Sequence, residues 1–182
     1  MIKEKGVLTE VTDEDLKLLQ DKSARFWEGV TIIGNNAFIN CETLEKIELP
    51  NGIKVIDEWA FGNCLNLKEI ILPKSVKRIE RGAFARSSLE RIKLPDGIKV
   101  IDECAFFNCS SLKEITIPKG VKEINGDAFF NCKSLEKIEL PEGLTKIGER
   151  AFFNCSSLKE IILPKSVKRI EREAFGDCLS LE

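Results

Sequence analysis

The chain has 182 residues, with 28 Lys and Arg against 30 Asp and Glu, no histidine, no tyrosine and seven cysteines. A net charge of −2 gives no field to gather phosphate backbones or anionic lipid, and no apolar run nears the roughly 18 residues of a membrane span, so neither nucleic acid nor membrane is an expected partner. Without histidine no Ser-His or Cys-His nucleophile can be assembled, and the glycines stand singly at turns rather than in phosphate-binding loops, so the sequence assigns no catalytic, cofactor-binding or metal residue and reads as a non-enzyme.

The first 28 residues do not repeat. Met1-Ile-Lys-Glu-Lys-Gly lacks the apolar stretch of a signal peptide, so the chain as written reads as soluble and cytoplasmic, with an extracellular surface location following instead where a signal has been removed. Thr12-Asp13-Glu14-Asp15 resembles a capping box, and Leu16, Leu19, Ala24 and Phe26 or Trp27 supply an apolar face. This predicts an amphipathic helix over roughly 13–26 that covers the open end of whatever follows. Its acids set it apart from membrane-surface helices, which favour Lys and Arg on the polar face.

From Gly29 to Glu182 the chain is periodic. The six prolines, Pro50, Pro73, Pro95, Pro118, Pro141 and Pro164, recur every 23 residues, once shortened to 22. One such unit cannot bury its own apolar face, so the units must stack into a solenoid with a shared core. Within a unit, Leu135, Ile138 and Leu140 mark a short half-buried strand, which Pro141 ends and Glu142-Gly143 turns. A second apolar pair follows, Val121 and Ile124 or Val76 and Ile79, and predicts a second sheet of short strands.

Ala-Phe comes next in all units, from Ala37-Phe38 to Ala174-Phe175. We read the alanine as the close-approach point of a helical turn and the phenylalanine as a core filler stacked on its neighbours. Asn-Cys closes the unit at Cys41, Cys64, Cys109, Cys132 and Cys155, with Asp177-Cys178 as a variant. The odd number of cysteines and the absence of CxxC pairs argue for buried free thiols packed as small hydrophobes rather than for disulfides, metal or redox chemistry. Cys104 falls outside this column and is expected to be exposed. Each asparagine is expected to bond the backbone of its own turn or of the next coil.

The third unit, Ala83-Phe84-Ala85-Arg86-Ser87-Ser88-Leu89, is one residue short and has lost both Asn and Cys. It reads as a neutral deletion, with a binding notch as the alternative. At the far end Leu181 opens a further strand without a cap, which predicts either fraying or a homodimer through the uncapped C-terminal end. The absence of histidine and tyrosine suggests recent duplication or an engineered, consensus-like origin.

The combination of Ala-Phe, Asn-Cys and Leu-Pro at one spacing, as in Ala128-Phe129, Asn131-Cys132 and Leu140-Pro141, resembles the BspA-like class of leucine-rich repeats. The resemblance implies an α/β-type repeat solenoid: a right-handed leucine-rich-repeat superhelix with a concave parallel sheet built from the LxxIxLP strands. The domain organisation expected is a capping segment, 1–28, and a repeat array, 29–182, of about seven repeats with the last incomplete. Members of the family are often surface proteins that bind host or matrix proteins.

The outward positions of the LxxIxLP strands carry a charge rule. One column runs Lys46, Glu69, Arg91, Glu114, Lys137, Glu160, its neighbour runs oppositely as Glu45, Lys68, Glu90, Lys113, Glu136, Lys159, and a third runs Asn51, Lys74, Asp96, Lys119, Glu142, Lys165. Coils stacked about 4.8 Å apart would set opposite charges against each other and fix the register. The remaining column, Glu48, Ile71, Lys93, Thr116, Glu139 and Ile162, follows no charge rule and is the candidate partner-binding surface. Phe107, Phe130 and Phe153 form a rival stripe, for which core packing is the competing reading. The function expected is a non-enzymatic scaffold that binds a protein partner through the concave face; the alternative is a structural or designed repeat module without a natural ligand.

Overall fold

The computed structural model describes residues 2–4, 6–12, 15 and 27–182. The array winds through seven turns, each with one strand of a second, shorter-stranded sheet and one arc of tight turns, and five of the turns also add a strand to a longer-stranded sheet. The longer-stranded sheet is parallel and consists of β4 (Lys46–Glu48), β6 (Glu69–Ile71), β8 (Arg91–Lys93), β10 (Glu114–Thr116) and β12 (Lys137–Ile138), extended by a bridge from Lys137 to Glu160. In each, the central isoleucine points inward and its two neighbours point out: Ile47, Ile70, Ile92, Ile115 and Ile138 are 4–5% exposed. The proline after each strand stops the ladder, and from Pro73 onward it opens a turn in which its carbonyl accepts the N–H three residues on, as in Val76 to Pro73 at 3.1 Å.

The second sheet comes in two pieces. One holds β3 (Ile32–Ile33), β5 (Val55–Ile56) and β7 (Arg78–Ile79); the other holds β9 (Val100–Ile101), β11 (Glu123–Ile124), β13 (Lys146–Ile147) and β14 (Arg169–Ile170). The strands within each piece are parallel and in register, Ile33 on Ile56 and Ile124 on Ile147.

The helix expected over 13–26 lies outside the described residues except at Asp15, whose backbone is helical. The capping box itself is formed: the Thr12 N–H donates to Asp15 Oδ2 at 3.0 Å and the Asp15 N–H returns the bond to Thr12 Oγ1 at 3.3 Å. Among the described residues the cover on the first coil is instead a hairpin, β1 (Ile2–Glu4) antiparallel to β2 (Val7–Glu10). Strand β2 lies parallel on β3 and buries Leu8 fully against the core. The β-branched alternation Val7, Thr9, Val11 is the local reason for a strand here.

The Ala-Phe arc is not helical. It is a run of tight turns in which alternate N–H groups divide their work. The Ala60 and Gly62 N–H groups bond within the turn, to Asp57 and Trp59, while those of Trp59, Phe61 and Asn63 bond the carbonyls of Arg81, Ala83 and Ala85 in the next coil. This curvature needs two left-handed residues per coil. One column is Asn40, Asn63, Arg86, Asn108, Asn131, Asn154 and Asp177; the other is Asn36, Trp59, Gly82, Cys104, Asp127, Arg150 and Glu173, with φ between 50° and 62° throughout. Asparagine suits such a position because its short polar side chain tolerates it.

The core follows the repeat. Phe38, Phe61, Phe84, Phe106, Phe129, Phe152 and Phe175 stack in one column with ring centroids 4.7 to 5.6 Å apart. All but Phe175 are at most 1% exposed, and burial of each stabilises the array by about 1.5–3 kcal/mol.

Candidate interaction face

The outer face of the longer-stranded sheet is positioned by the pleat. Because the isoleucine between them is buried, both flanking residues of every strand face solvent, and all six candidate residues, Glu48, Ile71, Lys93, Thr116, Glu139 and Ile162, are exposed. Register brings Ile71 beside Glu48 and Thr116 beside Lys93. Two hollows divide the column. One, of about 640 Å³, spans β6, β8 and β10 and takes in Lys93 and Thr116 together with Lys68, Glu90, Arg91 and Glu114. The other, of about 240 Å³, takes in Glu139 and Ile162 with Leu140 and Pro164. Glu48 and Ile71 line neither. Ile162 is 73% exposed and Ile71 40%, which gives the face two apolar contacts among charges.

The charge columns pair by twos rather than as continuous ladders. Lys46 meets Glu69 at 2.8 Å, Arg91 meets Glu114 at 4.0 Å, Lys113 meets Glu90 at 3.2 Å and Lys159 meets Glu136 at 3.5 Å. Lys137 turns along its own strand to Glu139 at 3.1 Å. In the third column, Asn51 to Lys165, no ion pair forms among the described residues, so the direct meeting of opposites expected there is not realised. These side chains stand just outside the strands and are exposed, where solvent satisfies them as well as a neighbour would.

The asparagines bond one another, not the backbone. Asn63 donates to the Asn40 carbonyl oxygen at 2.8 Å, Asn131 to Asn108 at 2.6 Å and Asn154 to Asn131 at 2.7 Å. The left-handed backbone turns each amide along the solenoid axis, toward the same group one coil away. Arg86 interrupts the ladder.

The cysteine column lies just inside. Cys64, Cys109, Cys132 and Cys155 are fully buried, whereas Cys41 and Cys178 in the outermost coils are only partly so. They are more than small hydrophobes: each thiol from Cys64 onward donates to the phenylalanine carbonyl of the preceding coil, Cys64 to Phe38 at 3.0 Å and Cys132 to Phe106 at 3.2 Å. Burial pushes the Cys64 thiol up to about 12 and that of Cys109 up to about 11, which suppresses the nucleophilic thiolate. In the short repeat Ser87 takes the cysteine position, 3% exposed, with its hydroxyl 3.4 Å from Cys109 Sγ. Cys104, expected to be exposed, is half-buried in the second left-handed column, and its thiol is raised by burial and then by Asp127 and Glu103.

Phe107, Phe130 and Phe153 form a second, partly exposed stack on the outside of the arc, with centroids 5.0 and 5.3 Å apart. The Arg150 guanidinium lies 5.6 Å over Phe130 and pairs with Asp127 at 2.9 Å. The sequence did not reveal that Trp59 covers the same side at the other end, its ring lying where a Cβ on Gly62 or Gly82 would sit. Those two glycines within one turn of a tryptophan were the available signal.

Among the described residues no three His, Cys, Asp or Glu side chains are placed to hold a metal ion, and no helix is long and apolar enough to cross a membrane. No curated protein matches the sequence. Solved structures do. A leucine-rich repeat protein of T. pallidum is 32% identical, with a TM-score of 0.81 over 84% of this chain and 72% of its own. A leucine-rich cell surface protein of Faecalibacterium prausnitzii A2-165 is 27% identical, with a TM-score of 0.51 over 84% of this chain and 56% of its own. The pneumococcal vaccine antigen PcpA is 25% identical, with a TM-score of 0.53 over 85% of this chain and 53% of its own. This chain thus spans little more than half of the latter two. The model for the BspA type leucine-rich repeat region matches residues 19–101 and 78–182, with six copies, and the chain belongs to that family.

Proposed function

We propose that the chain is a non-enzymatic protein-binding module that engages its partner with the outer face of the longer-stranded sheet, at the cell surface. The observation that carries this is the hollowed sheet face, on which Lys93, Thr116, Glu139 and Ile162 stand exposed around two depressions. Rigid strands hold such side chains at fixed spacing, and repeat arrays of this kind offer extended surfaces to partners. The name of the F. prausnitzii relative, a cell surface protein, supports the location.

The test is capture from the proteome of the source and its surroundings, with the chain immobilised beside a variant carrying Lys93→Glu, Glu139→Lys and Ile162→Asp. All three positions are exposed, so the variant should fold as the parent does, and a protein retained by the parent should be lost by the variant. Equal retention by both would refute binding through this face.

A further inference from the structure

The one-residue deletion between Phe84 and Leu89 shortens a single turn of the winding, and along that turn the longer-stranded sheet thins and the second sheet opens. In the longer-stranded sheet β6 and β8 share one register pair, Glu69 with Arg91, where β4 with β6 and β8 with β10 share three each. In the second sheet β7 and β9 do not pair at all. The N–H groups of Lys54, Lys77, Lys122, Thr145 and Lys168 each reach the preceding coil, as do those of Asp57, Glu80, Asn125, Gly148 and Glu171. Among the described residues only Lys99 and Asp102, the same two positions of the fourth coil, lack that bond. The arc stays whole, with Gly82, Phe84 and Arg86 donating to Glu103, Ala105 and Phe107 at 2.7 to 3.0 Å, and at the entrance to β8 the Glu90 N–H still donates to Lys68 at 3.1 Å.

Carboxylates are stacked on this seam. Glu80 follows β7 and Asp102 follows β9, one coil apart, and Asp57 precedes them in the same column. The Glu80 carboxyl is within hydrogen-bonding reach of Asp102 and feels Asp57 from the other side. Arg78, on its own strand, is the cation that faces it, at 3.0 Å. Asp102 is already held by the Glu103 N–H at 2.7 Å and the Asn125 amide at 3.2 Å, and Arg81 is engaged by Glu103 at 3.1 Å. Like charges directly opposite on neighbouring strands are destabilising; the Asp57–Glu80 step carries the same repulsion but keeps its strand pairing, whereas at the shortened turn the repulsion falls on strands that are already unpaired.

We propose that the short turn is a hinge, about whose arc the coils before it pivot against the coils after it, and that acid closes it. A proton taken up by Glu80 from solvent converts the repelling pair into an O–H donated to the Asp102 carboxylate, which draws β7 onto β9. Burial first, and Asp102 and Asp57 after it, hold the Glu80 carboxyl above its ordinary value of 4.5 against the opposing pull of Arg78. The sign follows from linkage: the protonated form is favoured in the folded seam, so closure is lost as pH rises through the raised value and is complete below the ordinary one. The hollow of about 640 Å³ on the sheet face spans β6, β8 and β10, so it straddles the shortened turn. The inference holds whether or not that face binds a protein.

The test is amide hydrogen exchange of the chain, expressed as protection factors so that the intrinsic pH dependence is removed. At pH 7 the Lys99 and Asp102 amides should be about tenfold less protected than those of Lys77 and Glu80, and the gap should narrow at about pH 4, below the ordinary carboxyl value. In Glu80→Gln the amide donates to Asp102 at any pH, so the gap should already be narrow at pH 7. Equal protection of the two pairs at pH 7 would remove the hinge. A gap unchanged between pH 7 and about pH 4 in the parent chain, or a variant that keeps the parent's gap at pH 7, would remove the acid control.

Discussion

The asparagine column offers the sharpest measurement of what holds one coil on the next. Asn131 is left-handed at φ 61° and makes two amide bonds, donating to Asn108 at 2.6 Å and accepting from Asn154 at 2.7 Å. Asn131→Ala removes both bonds, at about 0.5–1.5 kcal/mol each, and places a Cβ without a compensating polar group in the left-handed region, at about 1–2 kcal/mol. The sum is about 2–5 kcal/mol. Asn131→Gly removes the same bonds but accepts the backbone, so it should fall about 1 kcal/mol short of the alanine variant. Arg86→Asn runs the other way: Arg86 holds φ 60° and donates its N–H to Phe107 at 2.7 Å, so an asparagine there is placed to join Asn63 to Asn108 and should stabilise by about 1 kcal/mol. Urea unfolding at unchanged m-value measures all three. Alanine and glycine variants of equal stability would refute the left-handed reading, and an Arg86→Asn variant no more stable than the parent would refute the ladder.

Three further outcomes follow from the geometry. Native-state alkylation should modify the half-buried Cys104 before Cys132, whose thiol is buried and raised well above the ordinary range; equal rates would place Cys132 at the surface. Glu114→Lys puts a cation between Arg91 and Lys137, its register partners on both sides, and should cost about 1 kcal/mol or less at these exposed sites, diminishing with salt; a loss insensitive to salt would mean that the columns do not interact through charge. Hydrogen exchange should find the last coil less protected than the middle ones, since Ile170 is 45% exposed where its counterparts Ile124 and Ile147 are fully buried; uniform protection would contradict this.

The periodicity made the winding legible because a buried position in a solenoid is buried in every coil: Ile115, Phe129 and Cys132 could be assigned from phase alone. The pleat made the outward column legible for the same reason. Three features were hidden. The left-handed column that runs Asn36, Trp59, Gly82, Cys104, Asp127, Arg150 and Glu173 carries almost no common residue type, because the next coil's carbonyls impose the backbone there and the side chain merely endures it. The thiol donors were hidden because cysteine packs like a small hydrophobe and its bond goes to a carbonyl about one coil back, which no local spacing encodes. The seam was visible as a missing residue near Arg86, but its effect falls on β7 and β9, on either side of the deletion along the chain, because in a helical winding a shortened contour strains the stacked pairs that straddle it.

The arc also decides how the far end of this chain can associate. The alternate backbone N–H groups along the arc all run one way: an N–H of one coil meets a carbonyl of the next, from Asn36 to Glu58 through Asn154 to Gly176. In the last coil the corresponding donors are the N–H groups of Glu173, Phe175 and Asp177, which have no acceptor among the described residues. Beside them stand half-buried Val167, Phe175 and Cys178, and Leu179 at 83% exposure. Two such faces would gain by burying their apolar rims, about 1.5–3 kcal/mol for each large side chain covered. If the arcs were superposed, six N–H donors would face one another with no acceptor, at about 1–3 kcal/mol each, and the balance would turn against association. The homodimer expected at this end therefore needs the two arcs set apart, so that each donor row stays in water. Sedimentation across micromolar concentrations should then show a monomer or a weak dimer that Phe175→Asp abolishes; a tight dimer in which the Glu173 and Asp177 amides become strongly protected from exchange would show that the donors had found acceptors and would refute the polarity argument.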